Sequence, residues 1–349
     1  MRAVLNELPQ AEAERFILRD NVQLHFSSFP ALPRYLLHQI ELPVVFRPLA
    51  LDAYLNPDYI LPNLRDASCH CVIHDTTPYS SLGLLGTKAQ LIYRASGKAS
   101  LKRANTLICV SERTRYRMEE LFPSLKSKLR TVVSCLAPKF NKAGSDAYRR
   151  LSTVDVETAY GDVSIPLPYI LHVGIAGPRK NLPVFLAAFN EVKLRMFPHR
   201  LIIVGSPAKP LPKQKQPVRQ IALPDGSCLS PESPLPDVLH LGRVTDEELV
   251  SLYRHADLLV LPSLEEGFGY PVLEALAFRT PALTAKDSPL AHLPGVAAIP
   301  DVKDPASIAA ALEDALRGLT DLASKLTEDF SIDYYSCDRY LRDLLAALR

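Results

Sequence analysis

From Tyr169 onward the 349-residue chain alternates short apolar runs with longer helical patterns, and this alternation restricts the fold more than any other feature. YILHVGI (169–175), RLIIVG (200–205), VLHLGRV (238–244), DLLVLP (257–262) and PALTA (281–285) read as strands. LPVFLAAFNEVKLRM (182–196), EELVSLYRHA (247–256) and PVLEALAF (271–278) read as helices. Thr245 and Glu248 are spaced as a capping box, and Asp304-Pro305 caps and opens SIAAALEDALRG (307–318). Strands that are apolar on both faces and alternate with helices predict a parallel sheet covered on each side. Ligands of such sheets bind beyond the carboxyl ends of the strands.

The N-terminal half is less regular. VQLHF (22–26), HCVIHD (70–75), TLICVS (106–111) and RTVVSCL (130–136) are expected strands, and Ser111 is the expected N-cap of ERTRYRMEELF. Residues 141–166, polar and poorly patterned, are expected to form a linker between domains. Residues 206–237 hold eight prolines and no hydrophobic period, which predicts a loop. A chain of this length favours two domains over one core.

The stretch from Asp257 to Lys286 carries the chemistry. Leu258 to Leu261 stop at Pro262 and give way to a loop with Glu265, Glu266, Gly267 and Gly269, and Pro271 opens a helix bearing Glu274. A strand, a glycine-containing loop and a helix start place backbone N–H groups and a positive dipole end where a phosphate can sit. Glu266 and Glu274 flank that anion site, and carboxylates there accept hydrogen bonds from hydroxyls rather than bind phosphate. Hydroxyls beside a phosphate point to a nucleotide sugar. Taken alone, Glu274 reads equally as an acid favoured near a helix N-terminus, and the glycines as a tight turn.

This segment resembles the donor-site signature of the retaining glycosyltransferases of family 4, in which one Glu is followed by seven residues and a second Glu; here these are Glu266, GFGYPVL and Glu274. YILHVG (169–174) followed by IAGPRKNL is similar to the family's VG…PRKNL strand and loop, and His74-Asp75 after CVI to its N-terminal HD pair. The resemblance implies an α/β GT-B fold: two Rossmann-like parallel-sheet domains facing across a cleft. Residues 1–150 would form an apparently shortened acceptor-side domain, joined by a crossover helix at 331–349. Residues 165–330 would bind the donor.

By the same resemblance Lys180 is the diphosphate ligand and Arg179 its partner, both following the strand that ends at Gly174. Gly267, Phe268 and Gly269 let backbone approach the phosphate, and Glu274 accepts from the ribose hydroxyls. Glu266 holds hydroxyls of the transferred sugar. His74 contacts that sugar or the region where the acceptor attacks, and Asp75 orients loop backbone or His74. The implied catalytic set is thus His74, Lys180 and Glu266, with no side-chain nucleophile. No DxD-type acidic pair stands where a metal is expected, so the reaction is expected to need no metal and no cofactor beyond the donor substrate. The motifs are most like the mannosyltransferase branch, which makes GDP-mannose the first donor and a saccharide or lipid-linked saccharide the acceptor. A catalytically silent GT-B protein that binds a nucleotide or a partner subunit is the alternative. A dinucleotide-dependent oxidoreductase ranks behind both, because no GxGxxG follows any strand. Phe278-Arg279 stands where the family often has Cys-Gly, Leu293-Pro294-Gly295 lacks the usual acid, and Ser134-Cys135-Leu136 replaces an Asn-Gly turn.

Composition agrees with a soluble globular protein: 47% hydrophobic, 22% charged and a net charge of +2. No apolar run approaches the ~20 residues of a membrane-spanning helix, and the N-terminus lacks a signal-peptide core. Six scattered cysteines do not form a disulfide framework, which predicts a reducing, cytoplasmic location. Cys69-His70-Cys71 has the wrong spacing for structural zinc and is expected at a strand edge. Between Arg94 and Arg130 ten Lys/Arg face three Asp/Glu. That stretch reads either as solvated helix faces or as a peripheral contact with anionic lipid at the inner face of the membrane. No nucleic-acid module accompanies the charge.

Overall fold

The computed structural model describes residues 53–57, 59–64, 67–80, 93–140, 153–158, 161–174, 177–205, 221–222, 228–229 and 237–348. The chain divides into two compact units, Met1–Pro138 with Tyr335–Arg349, and Lys139–Tyr334. The strand expected at 22–26 lies outside the described residues, as does most of 206–237.

In the first unit β1 (Ala53–Asn56), β2 (Ser68–Ile73), β3 (Thr106–Cys109) and β4 (Leu129–Thr131) form a parallel sheet in that order. Cys71, Ile73, Leu107 and Cys109 are buried in one core with Leu101 and Met118, contributed by α1 (Lys98–Arg103) and α2 (Glu112–Leu121). Ser111 caps α2, its side chain accepting from the Thr114 N–H at 3.1 Å. β2 is an interior strand, so Cys69-His70-Cys71 is not at an edge, and both cysteines are buried.

The strand expected over 130–136 pairs only through Thr131. Beyond it, Val132 and Ser134 still donate to the Cys109 and Val110 carbonyls, at 3.0 and 3.2 Å. The Val133 carbonyl instead accepts from Arg339 at 2.6 Å, from the last helix of the chain, whose Leu344 packs on Ile108 and Val132. The Arg339 guanidinium thus satisfies a carbonyl just beyond the end of β4.

Three of the ten cations in the basic stretch are paired with its own carboxylates. Arg115 pairs with Glu112 and Glu119 at 2.8 and 3.1 Å, Arg117 with Glu120 at 2.6 Å, and Lys126 with Glu119. Lys128 caps the carbonyls of Lys102 and Ala104 at 2.7 and 2.8 Å. No described helix is long and apolar enough to cross a membrane.

The second unit contains an antiparallel hairpin, β5 (Thr153–Thr158) and β6 (Gly161–Pro166), where an irregular linker was expected. Val154, Val156 and Ile165 are buried, and β5 lies against the helix Asp246–His255. The main sheet holds β7 (Tyr169–Val173), β8 (Arg200–Val204), β11 (Val238–Gly242), β12 (Leu258–Leu261), β13 (Ala282–Ala285) and β14 (Val296–Ile299). A two-residue pair, β9 (Ile221–Ala222) with β10 (Cys228–Leu229), stands apart. The sheet is parallel throughout with order β11-β8-β7-β12-β13-β14. Counted from its own first strand this is 3-2-1-4-5-6, the doubly wound order, and the winding reverses between β7 and β12.

Helices α3 (Leu182–Lys193) and α6 (Pro305–Arg317) pack together and bury Phe185, Phe189, Val192, Ile308, Leu312 and Leu316 against Ile170, Leu201, Ile203, Leu258, Val260 and Leu283. α4 (Asp246–His255) and α5 (Tyr270–Ala277) contact each other and strands β7, β12 and β13. The predicted caps are present: Thr245 and Glu248 form the reciprocal box of α4, and Asp304 accepts from the N–H groups of Ala306 and Ser307. Helix α3 ends before 196, where Met196 adopts φ 66° and turns the chain into the left-handed region. α7 (Leu319–Asp329) follows α6, and α8 (Cys337–Leu348) belongs to the first unit.

Candidate active site

At the reversal point two loops leave adjacent strand ends, one after β7 and one after β12. The first carries Gly174, Arg179 and Lys180; the second carries Glu265 to Gly269. Leu264 donates its N–H to the Arg179 carbonyl at 2.9 Å, and the Arg179 guanidinium donates to the Glu265 carbonyl at 3.1 Å, so the loops are tied through main chain.

Glu266 is the centre of the cluster. Its Oε1 accepts from Lys180 Nζ at 2.7 Å and its Oε2 from Arg179 at 3.0 Å. The Glu266 and Lys180 side chains are only 8% and 10% exposed, whereas Arg179 is 30% exposed. Burial alone would raise the Glu266 pKa, but Lys180 and Arg179 together hold it below the usual carboxylate value. Two cations share one carboxylate, so the cluster carries a net charge of about +1 in a partly desolvated place. A Cβ on Gly174 would stand 2.9 Å from Lys180 Cε and 3.2 Å from Cδ. The bare glycine is what lets the lysine stem lie across the end of β7.

Asn181 holds the loop from behind. It adopts φ 58°, and its amide donates to the Pro262 and Val302 carbonyls at 3.3 and 2.5 Å. His172 lies under the cluster on β7, fully buried, donating from Nδ1 to the Val260 carbonyl at 2.9 Å. Burial, with the nearby Lys180 charge adding to it, depresses its pKa to about 4, so the imidazole is neutral.

Gly267 and Phe268 lead from Glu266 into α5, with the Phe268 ring buried and 4.9 Å from that of Tyr270. Gly269 caps the helix at φ 96°, a conformation that favours glycine, and its carbonyl accepts from the Val272 N–H at 2.9 Å. One turn on, Glu274 Oε2 accepts from the Tyr253 hydroxyl of α4 at 2.6 Å. Burial raises the Glu274 pKa, against the hydrogen bond from Tyr253, which lowers it. The departure at Phe278-Arg279 has a structural account. Phe278 stacks on Tyr253 with centroids 6.2 Å apart, and Arg279 takes φ 63° while donating to the Leu326 carbonyl at 3.0 Å. Glycine suits that backbone without strain; here an arginine occupies it.

The structure therefore brings together Gly174, Arg179, Lys180, Glu266, Gly267, Phe268, Gly269 and Glu274 within the second unit. His74 belongs to the first unit, exposed just past the end of β2, with Nε2 2.9 Å from the Pro57 carbonyl. Asp75 accepts from the Thr77 N–H at 3.0 Å and from Tyr59 at 3.1 Å, and so shapes the loop. Tyr253 and His172 are parts of the site that sequence reasoning passed over: one lies inside an ordinary helix pattern, the other inside a strand. Among the described residues no group of three or more His, Cys, Asp or Glu is placed to hold a metal ion.

The sheet order and the strand-end site define a class, and solved structures of that class superpose on the chain. A glycosyltransferase from Rickettsia africae aligns with TM-score 0.58 at 14% identity, covering 92% of this chain and 82% of its own. Sucrose-phosphate synthase from Thermosynechococcus elongatus aligns with TM-score 0.60 at 18% identity, covering 92% and 77%. The fold is that of the GT-B glycosyltransferases.

At the level of sequence, residues 167–318 match the family model of Glycosyl transferases group 1. The serotype-specific mannosyltransferase WbdA of Escherichia coli is 26% identical over 207 residues, 59% of this chain and 24% of that protein. The O-antigen chain mannosyltransferase RfbU of Salmonella typhimurium is 34% identical over 124 residues, 36% of this chain and 31% of that protein. The chain thus spans less than a third of the length of these curated relatives.

Proposed function

We propose that the chain is a retaining glycosyltransferase of family 4, which moves a hexose from a nucleotide-diphosphate sugar to a saccharide or lipid-linked saccharide. GDP-mannose is the proposed donor, in keeping with the mannosyltransferases among its relatives. The observation that carries the reading is the convergence of Lys180 and Arg179 on Glu266 at the winding reversal, beside the start of α5.

A diphosphate leaving group gains negative charge as its bond to the anomeric carbon breaks. Fixed cations and a helix N-terminus aimed at that charge lower the barrier without reorganising. Lys180 is buried and preset by Gly174, so it offers such a fixed charge; Arg179, more exposed, clamps the outer side. Glu266, released in part from its cations by the incoming phosphates, is free to accept from sugar hydroxyls. The acceptor hydroxyl oxygen forms the new bond on the face the leaving group vacates, and its proton passes to a departing phosphate oxygen. No protein nucleophile and no metal enter this scheme. His74 is assigned to the sugar and acceptor side. Contact with anionic lipid through 94–130, at the cytoplasmic face of the membrane, is part of the proposal and is expected to be salt-labile, because dissolved ions screen exposed charges.

The second reading is a nucleotide-binding scaffold without transfer, in which Lys180 and Arg179 stay paired with Glu266. Release of GDP from GDP-mannose in the presence of a mannose oligosaccharide, with product analysed for anomeric configuration, separates the two. Turnover that disappears in Lys180→Ala supports transfer through this site. Turnover that survives in Lys180→Ala and in Glu274→Ala sinks the site assignment, and binding without any turnover selects the scaffold.

A further inference from the structure

We propose that Tyr253 is the positioning residue for ribose recognition: its hydroxyl fixes one oxygen of Glu274, holding the carboxylate at the angle at which it accepts from the ribose hydroxyls. This rests on the donor-site reading given above.

A glutamate side chain has three rotatable bonds, and a carboxylate free to swing gains little from a diol that needs two oxygens of set direction. In this chain the swing is stopped at one end. The Tyr253 hydroxyl lies 2.6 Å from Glu274 Oε2, a short O–H···O hydrogen bond. The tyrosine is itself immobilised from several sides. It is fully buried, its ring stacks on Phe278 with a 14° interplanar angle, and the edge of Phe140 meets it at 6.3 Å. Its carbonyl accepts from the Thr280 hydroxyl at the end of α5, and the neighbouring Leu252 carbonyl accepts from Tyr169 of β7 at 2.8 Å. Helices α4 and α5 are thereby pinned to each other at Tyr253, and Glu274 inherits that registry.

The chemistry of the pair fits the task. Burial keeps the Tyr253 phenol protonated, so it donates. Its bond opposes the desolvation that favours a protonated Glu274. A protonated acid would present a donor to ribose hydroxyls that need an acceptor. With one lone-pair site on Oε2 taken, Oε1 and the rest of Oε2 remain for the sugar. A bulky ring at this point of α4 has an ordinary use in the core, and phenylalanine would serve that use equally well. The hydroxyl is what the structural role does not need.

The test compares the tightest binder among GDP, UDP, ADP and CDP with its 2′,3′-dideoxy counterpart, by calorimetry on the full chain. Tyr253→Phe is expected to weaken the ribose nucleotide about tenfold, the scale of one charge-assisted hydrogen bond, and to leave the dideoxy nucleotide unchanged. In a Glu274→Ala background the same replacement is expected to change neither. Thr280→Val, which removes the hydrogen bond to the Tyr253 carbonyl but keeps the phenol hydroxyl, is expected to lose part of the same ribose preference. Equal losses for both nucleotides, or a ribose preference unchanged in Tyr253→Phe and in Thr280→Val, overturns the assignment to Tyr253 alone. A wild-type protein that binds none of the four nucleotides removes the donor site and the role of Tyr253 with it.

Discussion

Glu266 accepts a hydrogen bond from each of two cations and is nearly buried, so its replacement separates binding from chemistry. Glu266→Gln keeps the shape and removes the negative charge next to the diphosphate position. Affinity for GDP is expected to rise several-fold, because Lys180 and Arg179 no longer share a carboxylate, while turnover falls at least tenfold because an amide offers the sugar hydroxyls one neutral acceptor oxygen in place of two charged ones. Titration calorimetry beside a turnover assay reads both; a fall in GDP affinity would contradict the geometry. Gly295 allows a structural test of similar sharpness. Its φ is 77°, and a Cβ there would stand 2.6 Å from Leu326 Cβ and 3.3 Å from the Leu322 carbonyl. Gly295→Ala is expected to lower stability by about 2 kcal/mol, seen in the urea midpoint. At this scale the sequence was readable where a residue type has few uses: Lys180, Arg179 and Glu266 fall together as the motifs imply. It was opaque for Tyr253, since nothing in EELVSLYRHA tells a packing tyrosine from one that reaches a carboxylate on the next helix.

Among the elements, β7 and β11 each bury a histidine, which ties the sheet to pH. The His172 and His240 pKa values are both depressed to about 4, chiefly by burial, from an unperturbed 6.5. The unfolded chain therefore binds more protons than the folded one between those values. The stabilisation from keeping both imidazoles neutral is complete above about 6.5 and is lost as pH falls toward 4, at roughly 1 kcal/mol per pH unit for each histidine. His240→Gln is expected to flatten the slope of urea stability against pH in that window by about half of what His172 and His240 contribute together. A slope equal to wild type would show that His240 is not neutral in the folded state. The strongly apolar strands and the capped helices were legible from pattern alone. The β5–β6 hairpin was not, although buried Val154 and Val156 alternate with exposed Thr153, Asp155 and Glu157. That period of two was masked by the many polar residues around it. β14, only VAAI after Pro294-Gly295, is too short to carry a signal.

For the molecule as a whole, sheet order is the level at which structure adds most. Alternating strands and helices announce a parallel sheet, but they do not say that β7 and β12 are neighbours with the winding reversed between them. That adjacency, made by strands some ninety residues apart in sequence, is what brings the PRK loop and the EGFG loop to one place. It is also why two motifs that are weak singly are informative together. The central claim is that this place holds a nucleoside diphosphate without a metal. The direct measurement is a thermal-shift titration of the chain with GDP, UDP, dTDP and ADP, each with magnesium and with EDTA, on wild type and on Lys180→Ala. A ligand at a hundred times its dissociation constant stabilises by about 2.7 kcal/mol, which raises the melting temperature by several degrees. A shift with one or two of the nucleotides that is equal in magnesium and in EDTA, and is lost in Lys180→Ala, is the predicted result. No shift with any nucleotide, or one that needs magnesium or survives in Lys180→Ala, would contradict it.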